Sequence, residues 1–68
     1  MLMIDYARNV VGMPTRGLHM GKHVGWTTDK EKHDLMVSVG ADCRIVDAES
    51  GRVIGYEVSF SPGAEVSQ

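Results

Sequence analysis

The pattern of apolar and polar positions is clearest in the second half of the chain. Alternate residues are apolar over 35–45, and the same alternation returns over 54–60. A period of two is typical of a half-buried strand, because successive side chains point to opposite faces of a sheet. The segment 47–52 between the two runs is rich in turn-forming residues, and Pro62 follows the second run. The pattern therefore predicts a β-hairpin that ends before Pro62.

A loop over residues 48–51, with Gly51 in the left-handed conformation, sets the predicted register. Every inward-facing pair is then apolar, whereas a slip of one residue turns the apolar side chains to the wrong face. The predicted pairs are Asp47 with Arg52, Ile45 with Ile54, Cys43 with Tyr56, Ala41 with Val58, and Val39 with Phe60. Met36, Arg44 and Val46 fall on the outward face in this register.

The first half of the chain has weaker patterns. We interpret residues 17–27, which include Trp26, as a further strand in which Gly21 and Gly25 leave room for a bulge or a close neighbour. Residues 28–33 are mostly charged or polar, and they predict a loop that leads into the long strand.

The N-terminal segment 2–11 fits two structures. Ile4, Ala7 and Val11 have helical spacing, whereas the alternation that begins at Leu2 fits a strand. The run is too short to decide between them.

These elements predict a single small domain of residues 1–68, all-β or β with one short N-terminal helix. It comprises an N-terminal segment 1–16, an antiparallel β-meander of three to four strands over 17–60, and a tail 61–68, of which 64–68 is expected to fray. A sheet of this size leaves one face and two edges open. We therefore expect a half-open barrel, or a sheet completed by dimerisation.

Charge and composition exclude several classes of function. Seven basic and nine acidic residues give a net charge of −2, and they form no basic stripe, so we expect no nucleic-acid partner. No apolar run approaches the roughly 18 residues of a membrane span, so we expect no membrane partner. The N-terminus lacks the pattern of a signal peptide, and Cys43 is the only cysteine. We expect a cytoplasmic protein with a reduced thiol and no intrachain disulfide.

Three histidines are weak candidates for metal ligands. His19 and His23 stand four residues apart, which in one strand separates them by about 13 Å, at roughly 3.3 Å per residue. One ion cannot bridge that distance. His33 is interpreted as a solvated loop residue. We therefore predict no metal and no cofactor.

Two further features suggest chemistry but favour structural roles. Cys43 lies in the inward set of the hairpin, where a thiol is usually an inert packing residue. Asp42 and Glu57 face one another on the outward side in the predicted register, as an exposed repulsion relieved by Arg44. Because no nucleophile, base and orienting group come together, we predict that the protein is not an enzyme.

The stretch 41–54, ADCRIVDAESGRVI, carries a recurring hairpin motif. Its residues Arg44, Val46, Asp47, Gly51, Val53 and Ile54 match the form L-R-x-V-D-x-x-T-G-x-V-L, with Ser50 in place of threonine. This form resembles the hairpin of curli-assembly (CsgG-type) outer-membrane lipoproteins. The resemblance covers about a fifth of the chain. It implies the local hairpin alone, without functional residues or a role in secretion.

The sequence favours a small non-enzymatic protein-interaction module, such as a regulator or inhibitor that binds a host protein. The identity of the protein partner is open, and we expect the chain to form a homo-oligomer. The candidate partner-binding residues are Met36, Val46, Arg44 and Trp26. Two alternatives stay open: a structural or assembly subunit of a larger complex, and a small-ligand or metal-binding β protein.

Overall fold

A computed structural model describes residues 1–48 and 51–67 of the chain. Its four strands form one antiparallel sheet in the order β1-β2-β4-β3. The elements are α1 (Met3–Asp5), a π-helical segment (Tyr6–Val11), β1 (Thr15–His19), β2 (Lys22–Thr27), α2 (Lys30–Ser38), β3 (Asp42–Asp47) and β4 (Val53–Phe60). The predicted fold class, a small antiparallel sheet with a short N-terminal helix, is confirmed. The strand order is not sequential as in a simple meander, because α2 carries the chain over β4 to the far edge.

One face of the sheet is covered by the helical elements, and the core lies between the two layers. Val58 at the centre of β4 is fully buried, with Gly25 of β2 and Cys43 of β3 beside it. Complete burial of a Met or Val side chain stabilises a fold by about 1.5–3 kcal/mol. The buried cluster consists of Met3, Ala7, Val11, Met13, Met36, Val58 and Phe60.

The N-terminal segment is helical, which decides between the two structures that its pattern allows. Met3, Ala7 and Val11 recur every four residues and all three are buried against the sheet. Gly12 ends the segment with φ +76°, and its N–H donates to the Ala7 carbonyl. A left-handed residue at this position is commonly glycine, because a Cβ is strained there.

The prediction of a loop over 28–33 followed by a strand from 35 is wrong, because α2 occupies most of that stretch. Asp29 caps this helix: its carboxylate accepts a hydrogen bond of 2.9 Å from the Glu31 N–H. Gly40, with φ +100°, ends it in the left-handed region. The alternation of apolar residues from 35 therefore spans a junction between a helix and a strand and belongs to neither element alone.

The predicted single strand over 17–27 is a hairpin, so this prediction is also wrong. The chain turns at Met20 and Gly21, with φ values of 52° and 80°. The expected irregularity is present: the register of β1 shifts between Arg16 and His19. The expected close neighbour is present at Gly25, where an added Cβ would lie 3.0 Å from the Met13 sulfur.

The hairpin of β3 and β4 is confirmed, but its predicted register is wrong. Val58 pairs with Cys43, and Tyr56 pairs with Ile45, two residues away from the predicted pairs. The loop is one residue shorter than predicted, since the Ala48 N–H donates to the Arg52 carbonyl at 2.8 Å. A bulge after Val53 adds a second shift of one residue. Together the two shifts amount to two residues, which is one full period of side-chain alternation. Each side chain therefore stays on its predicted face of the sheet, and the apolar face of this hairpin is as predicted.

Gly51 has φ +80°, as predicted for the loop. Glu49 and Ser50, which complete the predicted turn, lie outside the described residues.

The predicted frayed tail is instead bound to the N-terminus. Glu65 forms an isolated bridge with Leu2, and the Val66 N–H donates to the Met1 carbonyl at 3.0 Å. The N–H of Ser67 donates to the carbonyl of Val39. These backbone bonds fix the tail against the start of the chain and the end of α2. Gln68 lies outside the described residues.

Replacement of Met36 tests the position of α2. Met36→Ala removes a fully buried side chain, so we expect it to lower the free energy of unfolding by about 2–5 kcal/mol. Because that loss is comparable with the whole stability of so small a domain, Met36→Leu serves as a milder variant, expected to lose less than about 1.5 kcal/mol. Urea unfolding followed by circular dichroism measures both.

The matched control is Val37→Ala on the same helix, where the side chain is 48% exposed. We expect a change within about 0.5 kcal/mol there. Equal losses in the free energy of unfolding at positions 36 and 37 would contradict the helical position of Met36.

Candidate functional site: the open face of the sheet

The face of the sheet opposite the helices carries no other element among residues 1–48 and 51–67. Strand pairing and alternation place side chains from all four strands on it. These are Arg16, Lys22, Val24, Trp26, Asp42, Arg44, Val46, Glu57 and Ser59, with Gly55 between them. We call this surface the open face. It combines one large aromatic side chain, two valines and five charged residues.

Trp26 is the largest side chain on the open face, and its position depends on a glycine in the neighbouring strand. Its indole lies across Gly55, where an added Cβ would overlap the six-membered ring. This contact buries Gly55 and leaves Trp26 49% exposed. Glycine within a strand often marks such a close approach. The contact places the indole against the backbone of β4 and leaves about half of the side chain available to a partner.

A groove of about 570 Å³ lies beside the indole. Its lining residues are Pro14, Thr15, Arg16, Val24, Gly25, Trp26 and Glu57. Arg16 and Glu57 bring opposite charges to this groove. Glu57 has a partner in Arg44 at 3.5 Å, whereas Arg16 forms no ion pair with any residue that the structure describes. The groove therefore offers an apolar wall and a guanidinium to a bound group.

Three of the four predicted partner-binding residues, Trp26, Arg44 and Val46, share the open face. Met36 does not, and its prediction as a surface residue is wrong. Its side chain is fully buried on the opposite side of the sheet. The error follows from the helix: Met36 was placed by strand alternation, but in α2 it points into the core.

The three histidines lie on different elements. His19 is exposed at the end of β1, whereas His23 is on β2 with its ring 5.5 Å from that of Phe60. Because they flank a turn, the separation predicted for a single strand does not apply. Within the described ranges, no cluster of three or more His, Cys, Asp or Glu side chains has the geometry of a metal site.

His33 is not the solvated loop residue that the sequence predicts. It lies on α2, its side chain is only 15% exposed, and its ring is 4.5 Å from that of Tyr56. Its Nδ1 is 2.9 Å from an Asp34 carboxylate oxygen. The contact with Tyr56 joins α2 to β4 on the covered face, which gives His33 a packing role.

Asp34 is one of two acidic residues of α2, and its side chain is exposed. The hydrogen bond from the Lys30 ammonium, 2.9 Å long, and the contact with His33 lower the pKa of the Asp34 carboxyl. The same bond raises the pKa of Lys30. Both groups are exposed, so this i,i+4 pair adds little to stability.

Cys43 is half-buried on the covered face and faces Val58 rather than the predicted Tyr56. Burial, with a smaller effect of Asp42 and Asp34, raises the pKa of its thiol. A raised pKa lowers the thiolate fraction and with it the nucleophilicity. The thiol therefore behaves as a packing group.

The predicted pair of facing carboxylates is absent from the described strands. Glu57 faces Arg44, and Asp42 faces Ser59. The carboxylate of Asp42 instead lies 3.4 Å from the Lys22 ammonium. The shorter loop and the bulge in β4 are the reasons, because together they move each of these residues by two positions along the partner strand.

Two residues that shape the site are not predicted from the sequence. Gly55 is a glycine inside a strand, and this is a usable signal of a close contact. Arg16 gave no signal, because a single arginine next to a turn is ordinary. Its importance comes from the hairpin that places it opposite Val24.

No family model, curated protein or solved structure matches the chain. None of the helices in the described part of the chain is long and apolar enough to cross a membrane. The function is therefore inferred from the chemistry of the open face.

Replacement of Gly55 tests the contact between the Trp26 indole and the backbone of β4. Gly55→Ala forces the ring away from the sheet, so we expect the fluorescence of Trp26, the only tryptophan, to shift to longer wavelength as water reaches it. The lost contact should also destabilise the fold by about 1–3 kcal/mol. Steady-state fluorescence and urea unfolding measure the two effects.

The matched control is Gly17→Ala, since an added Cβ at Gly17 has no neighbour within 4 Å. Its spectrum should equal that of the unmodified protein. A Gly55→Ala spectrum that is likewise unchanged would show that the indole does not rest on the sheet.

Proposed function

We propose that the protein is a small non-enzymatic protein-interaction module whose contact surface is the open face around Trp26. The observation that carries this proposal is the half-exposed indole, seated on Gly55 beside a groove. Tryptophan and arginine are enriched among the residues that dominate binding energy at interfaces. The groove brings Trp26 and Arg16 together.

The fixed position of the indole supports binding rather than incidental exposure. A side chain that is already held in one orientation loses little conformational entropy when a partner covers it. Val24 and Val46 extend the apolar surface on two sides of Trp26. A partner that covers the indole therefore also removes these valines from water.

Charge defines the chemistry of the partner. Arg16 forms no ion pair with any described residue, so a carboxylate on the partner gains a charge-assisted hydrogen bond without breaking an existing pair. The proposed occupant is an exposed segment of another protein that presents Asp or Glu beside an aromatic or aliphatic side chain. A regulator or inhibitor that masks such a segment would act through contact alone.

A displayed library of random linear peptides, selected on the purified protein, tests the proposal. We expect enriched sequences with an acidic residue within a few positions of an aromatic or aliphatic one. Synthetic copies of these peptides should change the fluorescence of Trp26 on titration. Trp26→Ala, which lacks this fluorophore and is titrated by calorimetry beside the unmodified protein, should weaken their binding by at least about 30-fold, as expected for a residue worth 2 kcal/mol or more.

The variants Arg16→Ala and Arg8→Ala form a matched pair, because Arg8 is exposed on the helical side of the protein. Loss of affinity with the first and none with the second would support the role of Arg16. Peptides that bind equally well to the Trp26→Ala variant, or the enrichment of no peptide, would refute the proposed contact surface.

A further inference from the structure

The two edge strands of the sheet differ in their readiness to pair with another strand. β1 has a register shift between Arg16 and His19 and follows directly after Pro14. Bulges and proline are the features by which proteins protect sheet edges from further pairing. The other edge, β3 (Asp42–Asp47), contains no proline, lysine or glycine, and its pairing with β4 is regular from Asp42 to Val46, with a register shift only at its end, before Asp47. β3 is thus the less protected edge.

Alternation identifies the backbone groups that β3 leaves free. The Ala48 N–H donates to Arg52 on the β4 side. Because hydrogen-bonding groups of successive residues in an antiparallel strand point to opposite sides, even-numbered residues of β3 point to β4. The N–H and C=O groups of Cys43 and Ile45 therefore point outward from the sheet.

We propose that this edge pairs with the same edge of a second copy of the chain, antiparallel and centred on Cys43. A two-fold axis perpendicular to the sheet places Cys43 opposite Cys43 of the second copy. It places Asp42 opposite Arg44 of that copy, and Ile45 opposite its Ala41. The symmetry repeats each of these pairs, so the interface has two pairs of opposite charge, and Ala41, Cys43 and Ile45 pair with one another on the covered face.

Other symmetric registers are less favourable. A centre at Arg44 sets the two guanidinium groups directly opposite each other, and like charges in that position destabilise a sheet. A centre at Ile45 places Cys43 opposite Asp47, which sets a carboxylate against the apolar side of the interface. The register centred on Cys43 is the one in which both faces are complementary.

The charged side chains are available for new partners. Those of Asp42 and Arg44 are 75% and 71% exposed, and their contacts within the chain, with Lys22 and Glu57, are long at 3.4 and 3.5 Å. Exposed pairs of this kind contribute little. In the proposed interface, Asp42 and the Arg44 of the other copy lie directly opposite each other on adjacent strands, where side chains of opposite charge attract.

The interface has few backbone hydrogen bonds, so the dimer is expected to be weak. The central Cys43 pair exchanges two hydrogen bonds. The Ala41 N–H already donates to the Met36 carbonyl at 3.0 Å, so each flanking pair adds one bond, from the Ile45 N–H to the Ala41 carbonyl of the other copy. Ile45 is 54% exposed in the single chain and becomes covered. We expect a reversible dimer that dissociates in the micromolar range.

Charge reversal tests the register. Asp42→Arg and Arg44→Asp each replace both attractive pairs with repulsive ones, so each should raise the dimer dissociation constant at least about tenfold. The double reversal restores complementarity and should restore the dimer. Sedimentation equilibrium across the micromolar range measures the three variants, and circular dichroism confirms that each one folds.

The control variants Lys22→Ala and Glu57→Ala remove the partners within the chain and leave the proposed pairs intact. They should dimerise like the unmodified protein. An unmodified chain that is monomeric throughout this range would overturn the proposal. Single reversals without effect, or a double reversal that fails to rescue, would overturn the register.

Covalent trapping provides a second test. Diamide oxidises two thiols to a disulfide, and its N=N bond takes up the two electrons and two protons. Facing residues of a hydrogen-bonded pair have Cα atoms about 5.5 Å apart, within the range of a disulfide. We expect diamide to convert the protein to a disulfide-linked dimer on a non-reducing gel, and Cys43→Ser to abolish that product.

The matched control moves the thiol by one position. In Cys43→Ser combined with Arg44→Cys, the two introduced thiols lie diagonally, with Cα atoms beyond the roughly 7 Å limit for a disulfide. A covalent dimer of this variant as abundant as that of the unmodified protein would overturn the register. The Trp26→Ala variant should still dimerise, so that failure of the open-face proposal and failure of this one give different results.

Discussion

The packing of Met13 and Met36 against the centre of the sheet is the interaction on which the rest of the structure depends. Both side chains are fully buried, as is Val58 between the layers. The two methionines come from the loop before β1 and from α2, so they attach both helical elements to one face. Within the described residues, the helical segments cover this one face only. The opposite face therefore stays open, and its side chains define the candidate site.

Two glycines on neighbouring strands allow side chains to pack closely against both faces of the sheet. Gly25 lets the Met13 sulfur approach the covered face, and Gly55 lets the Trp26 indole lie against the open face. A side chain at either position would push the packed group away from the sheet. The same type of residue therefore produces tight core packing on one side and a preorganised aromatic surface on the other. The central strands β2 and β4 therefore carry both the core packing and the proposed contact surface.

The sequence predicted the strands best where a period of two persisted within one element. The alternation over 54–60 correctly gave β4, and the part of the 35–45 alternation that lies in β3 correctly gave the inward side of Cys43. It failed where the same period ran across a junction, so Met36 was assigned to a surface and α2 was missed. The cap at Asp29 and the stop at Gly40 were the local signals of that helix. The bulge after Val53 had no such signal, because it depends on how the whole hairpin packs.

The proposed edge pairing determines how the two open faces are arranged. A two-fold axis perpendicular to the sheet leaves both open faces on the same side of one continuous sheet. The two Trp26 grooves then point in one direction on a rigid scaffold. A partner with two copies of the recognised segment engages both grooves, and the second contact forms at a high effective concentration. The weak affinity expected of each small interface is then offset by simultaneous binding at two grooves. This is possible because edge pairing and the proposed contact at the open face use different surfaces of the same four strands.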